Sequence, residues 1–215
     1  MMSEKAEVAD QFESIEQQRE TSKMGMWLFL GTEFLLFSPM FLAYIVYRIT
    51  YPHAFQLASK ELDLFYGTLN TGLLITSSLT MTLAVRAGRL GQRKWLTFWL
   101  LVSAAIGIGF LLVKGLEYRT DIIKHDVPGA TMDLHGHNLK PEHMFLFIYF
   151  CLTGLHALHL TVAVTAALVI ATRAWSGRYS RYYHNEVEIM GLYWHFVDSV
   201  WVMLYPMLYL MGRGI

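Results

Sequence analysis

Residues 191–212 read Gly-Leu-Tyr-Trp-His-Phe-Val-Asp-Ser-Val-Trp-Val-Met-Leu-Tyr-Pro-Met-Leu-Tyr-Leu-Met-Gly. About 20 predominantly apolar residues cross the hydrocarbon core of a bilayer as a helix, and this run is long enough to do so. It nevertheless carries His195 and Asp198, three residues apart. The pattern of long apolar runs recurs along the chain. Between Lys23 and Arg48 the only ionisable carboxylate is Glu33, and residues 64–85, 95–113 and 143–172 contain no Asp, Glu, Lys or Arg.

The 215 residues are 54% hydrophobic and only 16% charged, which is more apolar than a water-soluble domain of this length tolerates. The apolar residues are not confined to one stripe, as a water-facing helix would require. With no water in the bilayer to take up backbone groups, helices are the solution that satisfies them. These observations predict an all-α integral membrane protein. Its five transmembrane helices form one bundle, with spans at about 24–47, 64–86, 95–117, 143–171 and 189–211. The connections are mostly short, so consecutive helices are expected to pack as antiparallel neighbours within a single domain over 23–215.

Residues 1–22 are polar, with Glu4, Glu7, Asp10, Glu13, Glu16 and Glu20 against Lys5 and Arg19. They resemble neither a signal peptide nor a basic transit peptide and read as an acidic solvated tail or a short surface helix. The tail and the loops at 86–94 and 173–188 hold ten Lys and Arg residues, against seven on the other side. This bias places the N-terminus inside and the C-terminus outside. Cys151 is the single cysteine, so the chain has no disulfide framework.

Glu33 is the most conspicuous ionisable group, flanked by Phe29, Leu30, Phe34 and Phe37. A carboxyl at such depth costs about 2.5–3.5 kcal/mol on insertion scales, so it is protonated or paired. Ser38, Thr32 and a neighbouring helix are the available partners, and a proton-handling role is the functional reading. His156 and His159 stand i, i+3 in one span, and His195 lies in another. A bis-histidine haem needs ligands facing each other across a bundle, and a zinc site needs three or four converging groups. One helix with two adjacent imidazoles builds neither. Asp133, His135 and His137 form a polar loop that reads as solvated rather than metal-binding. His195 with Asp198, and Lys114 with Glu117, share helix faces at i, i+3 and read as pairs near span ends. Trp194, Asp198, Trp201 and Tyr205 make a polar-aromatic stripe that should point into protein or headgroups. Ser103, Ala104, Ala105, Gly107 and Gly109 would let helix backbones approach closely.

The last span, from Gly191 to Trp201, resembles the signature that opens the final helix of subunit III of haem-copper terminal oxidases, which comprise cytochrome c and quinol oxidases. Gly154-Leu-His-Ala-Leu-His159, Leu69-Asn-Thr71 with Thr76-Ser-Ser78, and Glu117-Tyr118 are similar to other motifs of that family. Met24-Gly-Met-Trp-Leu-Phe-Leu-Gly-Thr-Glu33 places Glu33 on the family's buried carboxylate, although Thr32 stands where Ser is common. The resemblance covers about residues 23–212 and is to the short five-helix form, which lacks the first two of seven helices.

The resemblance implies an accessory subunit without catalytic, cofactor or metal residues of its own, with haem and copper held by partner subunits. It implies packing on subunits I and II in a hetero-oligomer, phospholipid binding and support of proton uptake in the bacterial cytoplasmic membrane. Glu33 is then the proton-related residue. His156, His159, His195, Asp198, Trp201, Lys114 and Glu117 are expected at lipid or subunit contacts. No nucleic-acid partner is implied. Three other readings are a subunit of a quinol oxidase or nitric oxide reductase system, a transporter, and a haem-binding membrane cytochrome. The transporter reading lacks the internal repeat it would need.

Overall fold

The computed structural model describes residues 12, 14–123, 141–177, 179 and 184–213. Among the described residues six α-helices follow one another: α1 (Ile15–Thr50), α2 (Pro52–Glu61), α3 (Leu64–Arg89), α4 (Arg93–Ile123), α5 (Pro141–Trp175) and α6 (Asn185–Tyr205). A single π-helical turn, Pro206–Leu210, extends α6. Among the described residues four helices are long and apolar enough to cross a membrane: α1, α3, the stretch Arg93–Thr120 of α4 and the stretch His143–Trp175 of α5. α6 is shorter and mixes aromatic and polar residues, with Glu186 and Glu188 in its first turn. The sequence expectation of a fifth span rests on α6 together with its π-turn.

Local signals set the helix ends. Ser14 caps α1 by accepting from Gln17 N, and Asp63 caps α3 by accepting from Phe65 N. Gly91 closes the α3–α4 connection at φ 69°, where a side chain would be strained. Residues 15–22, read from sequence as part of a tail, continue into α1 without a break. Residues 52–61, read as loop, form α2, which starts at Pro52 where the missing N–H costs nothing.

The helices wrap around α6. α3 packs on α4, α4 on α5, and α6 lies against α3, α5 and α1. The expected neighbour relation fails at one place: α1 packs on α5 and α6 rather than on α3. Its buried positions Leu30, Phe37 and Tyr44 recur every seven residues, so only one narrow face meets the bundle. Trp27, Leu28, Leu35, Leu42 and Ile49 are left exposed on its other faces. Large exposed apolar surface of this kind is ordinary for lipid and foreign to water.

Small residues bring the inner helices together. Ser103, Ala104 and Gly107 are buried on α4, and Thr80 Oγ1 lies 2.8 Å from Ser103 Oγ. Gly107 sits so close to α5 and α6 that a Cβ would stand 2.7 Å from Val164 and 3.2 Å from Trp194. The carbonyls at the end of the π-turn have no donor within their own helix and are taken up by other elements. Tyr44 donates to Met207 O, Ser59 to Leu208 O at 2.8 Å, and Arg48 to Met211 O at 2.9 Å.

Candidate functional site

Glu33 faces α5 from the middle of α1. Its Oε2 lies 2.7 Å from His159 Nε2, so its partner is on a neighbouring helix rather than Ser38 or Thr32. Those two hydroxyls bond to carbonyls of their own helix, Phe34 O and Phe29 O. His159 Nδ1 lies 2.8 Å from Leu155 O. A carbonyl only accepts, so Nδ1 carries a hydrogen. The pair therefore shares one further proton between Nε2 and Oε2.

His156, one turn earlier on α5, meets other neighbours. Its ring is fully buried between Phe110 and Trp201, with centroids 5.5 and 5.1 Å away, and neither nitrogen has a hydrogen bond. The two imidazoles of this motif thus meet different helices, His156 α4 and α6 and His159 α1. Among the described residues, no three His, Cys, Asp or Glu side chains converge as a metal site would need. Asp133, His135 and His137 lie outside the described residues, as do Glu4, Glu7, Asp10 and Glu13.

Lys114 and Glu117 lie inside the bundle, each 2% exposed. Lys114 Nζ donates to Glu117 Oε2 at 3.0 Å, to Tyr149 OH at 2.8 Å and to Tyr209 OH at 2.9 Å. Both tyrosines then donate to Glu117 Oε1, at 2.8 and 2.6 Å. All three ammonium protons and both carboxylate oxygens are engaged, which is what makes a buried ion pair tenable. The cluster ties α4 to α5 and to the π-turn that carries Tyr209. Sequence reading missed both tyrosines, because they come from elements far along the chain.

The stripe on α6 points into protein as expected at Trp194 and Trp201, both fully buried. Their indole N–H groups donate to Ser77 Oγ at 3.2 Å and Thr71 Oγ1 at 3.1 Å. The expected His195–Asp198 pairing does not form. His195 Nδ1 is 2.9 Å from Ser78 Oγ, and Nε2 is 3.4 Å from Thr82 Oγ1. Asp198 is 6% exposed, and Ser78 is the polar side chain beside its carboxyl group. Nor does this residue sit at the helix edge. It lies ten residues beyond Glu188, about 15 Å along the axis.

Glu188 anchors an ionic cluster at the end of the bundle. Arg89 Nε stands 2.7 Å from its Oε1 and Lys23 Nζ 3.0 Å from its Oε2, with Arg19 at 3.8 Å and His184 at 3.4 Å. Burial would raise its pKa, but the hydrogen bonds and charges of Lys23 and Arg89 outweigh this and hold it below the usual value. Nearby, Tyr179 donates to Glu186 Oε2, and burial together with the Glu186 charge pushes its hydroxyl pKa up. A cavity of about 540 Å³ opens beside the cluster between α1, α3 and α6, with Lys23, Trp27, Arg86, Arg89 and His195 on its wall.

Residues 11–213 match the family model for cytochrome c oxidase subunit III. The chain belongs to the cytochrome c oxidase subunit III family. It is 35% identical over 188 residues to the cytochrome c oxidase subunit 3 of Synechocystis, covering 87% of this chain and 74% of that protein. It is 30% identical over 195 residues to the one from Thermostichus vulcanus, covering 88% and 87%. The quinol oxidase subunit 3 of Bacillus subtilis is 28% identical over 214 residues, 98% of each chain. This subunit III is an accessory subunit of a haem-copper oxidase of aerobic respiration and a multi-pass membrane protein.

Proposed function

We propose that this subunit III crosses the bacterial cytoplasmic membrane five times, with its N-terminus inside, and packs on oxidase subunits I and II. Those subunits carry the haem and copper, and the complex reduces oxygen to water. This chain supplies stability, lipid contact and a proton-holding pair that supports uptake on the inner side. The bias of Lys and Arg toward the tail and the loops at 86–94 and 173–188 supports the orientation. The cationic rim formed by Lys23, Arg86 and Arg89, with Trp27 beside it, suits a phospholipid headgroup at the membrane surface.

The observation that carries the proton reading is the contact between Glu33 and His159. An acid and an imidazole at membrane depth, joined at 2.7 Å and sharing one proton, form a net-neutral pair. The proton can shift between Oε2 and Nε2 without changing that charge, and passing it on leaves a negative charge that draws in the next proton. Purification in mild detergent tests the assembly: the chain should co-purify with haem- and copper-bearing subunits in fixed ratio. Its isolation alone, or haem bands from the chain by itself, would contradict the reading. Glu33→Gln should stay assembled while sustained proton uptake by the oxidase slows. Unchanged uptake would remove the proton role and leave the assembly role standing.

A further inference from the structure

The seam between α4 and α5 opens at one end onto a cavity of about 440 Å³, with Arg93, Lys94, Thr97, Phe98, Leu101 and Trp175 on its wall. It shares no lining residue with the cavity between α1, α3 and α6. The wall changes character along α4. Arg93 and Lys94 stand in the first turn, and Phe98 and Leu101, each about half exposed, follow on the next turns. From Lys94 to Leu101 this wall runs about 10 Å. Trp175, 82% exposed, adds its ring from the end of α5, and Trp95 is exposed one residue past Lys94. Exposed indoles at helix ends mark the level where headgroups meet acyl chains.

The protein's own acids leave these two cations free. Among the described residues neither Arg93 nor Lys94 forms an ion pair, and no Asp or Glu lines the cavity. In the other cavity, by contrast, Lys23 and Arg89 are bound to Glu188. Arg93 is held in place without being neutralised. Its Nε donates to Tyr179 O at 3.0 Å, and Nη1 lies 2.8 Å from where a Cβ on Gly177 would stand. The Thr97 hydroxyl bonds back to Arg93 O, so the polar contacts on offer come from the cations.

A dissolved phosphate would meet the cations but leave Phe98, Leu101 and Trp175 uncovered. A zwitterionic lipid would cover those side chains but bring its own ammonium beside Arg93 and Lys94. An anionic phospholipid satisfies both ends of the wall, and basic pockets between membrane helices suit such headgroups. We propose that the α4–α5 seam binds an anionic phospholipid, with the headgroup phosphate on Arg93 and Lys94 and the upper acyl chain along Phe98, Leu101 and Trp175. This rests on the five-span reading, which sets the start of α4 at a membrane surface, and it names a lipid site apart from the one beside Glu188.

The assembled oxidase in phosphatidylcholine nanodiscs carries the test. Trace photoactivatable phosphatidylglycerol should crosslink to Phe98, Leu101 or Trp175 several-fold more than a phosphatidylcholine probe with the same acyl label. Inorganic phosphate should displace it no better than chloride of equal ionic strength. Arg93→Gln and Lys94→Gln should each lower the phosphatidylglycerol crosslink by about fivefold and leave crosslinking to α1 unchanged. Lys94→Gln keeps the bond of Arg93 to Tyr179, so it decides if the Arg93 variant fails to fold. Equal labelling by the two probes, specific displacement by phosphate, or unchanged labelling in Lys94→Gln would overturn the proposal. Gln92→Cys, just before α4, should react with a water-soluble maleimide in opened membrane vesicles. If it does not react, the five-span reading itself falls. If it reacts and the two probes label equally, only the lipid site is wrong.

Discussion

Glu33 Oε2 and His159 Nε2 lie 2.7 Å apart across the α1–α5 contact, while Nδ1 of the same ring is committed to Leu155 O. That second bond fixes the tautomer, so the pair holds one transferable proton. Separated charges in a low-dielectric interior carry a large desolvation cost, which favours the neutral arrangement of protonated Glu33 and neutral His159. Infrared spectra of the purified complex should then show a carboxylic-acid carbonyl band that Glu33→Gln removes. An imidazolium signature with no acid band would show the ionic form instead. The amide can donate to the same nitrogen, so the variant should assemble normally.

Lys114→Met tests the cluster inside the bundle. Without the ammonium, Glu117 becomes a buried carboxylate with only tyrosine donors, and removing one partner of a buried pair costs about 3–5 kcal/mol. The double variant Lys114→Met with Glu117→Gln should recover much of that loss. Denaturant unfolding of the purified complex, followed at this chain, compares the two. If the double variant is no more stable than the single, the ion pair is not what holds α4, α5 and the π-turn together.

The all-helical membrane class was legible in the sequence because apolar runs without charges have no alternative use. Glu33 stood out for the same reason, since a lone carboxyl inside such a run demands an explanation. Its partner was not legible. His159 lies 126 positions away, and only the packing of α1 on α5 brings the two together. Spacing at i, i+3 correctly joined Lys114 to Glu117 but suggested a bond between His195 and Asp198 that does not form. On α6, Ser78 and Thr82 of α3 capture the imidazole first. Lys114 and Glu117 do lie in the last two turns of their span, but their full burial inside the bundle comes from tertiary packing that spacing does not show.

The Glu188 cluster predicts a pH dependence. Its pKa lies below the ordinary 4.5 of a glutamate, so its contribution is complete above that value. It is lost as pH falls through the lower folded value, when protonation releases Arg89 and Lys23. The melting temperature of the complex should drop on acidification through this range, and the drop should be smaller in Glu188→Gln. An identical acid profile in the variant would assign the loss to other carboxylates.

Gly107 gives the sharpest packing test. Its missing Cβ makes room for Val164 of α5 and Trp194 of α6 at one point, and Trp194 is itself held by its bond to Ser77. A methyl group there would stand 2.7 Å from Val164 Cγ2, inside any normal contact distance, so a helix or a rotamer must shift. Overpacking of this kind costs about 1–3 kcal/mol. Gly107→Ala should therefore lower unfolding stability and release the indole of Trp194, seen as a change in its fluorescence. Gly31→Ala on the open face of α1, where the same methyl meets nothing within 4 Å, should leave both readings unchanged. Equal behaviour of the two variants would mean that α4 and α6 are less closely packed at Gly107 than the geometry requires.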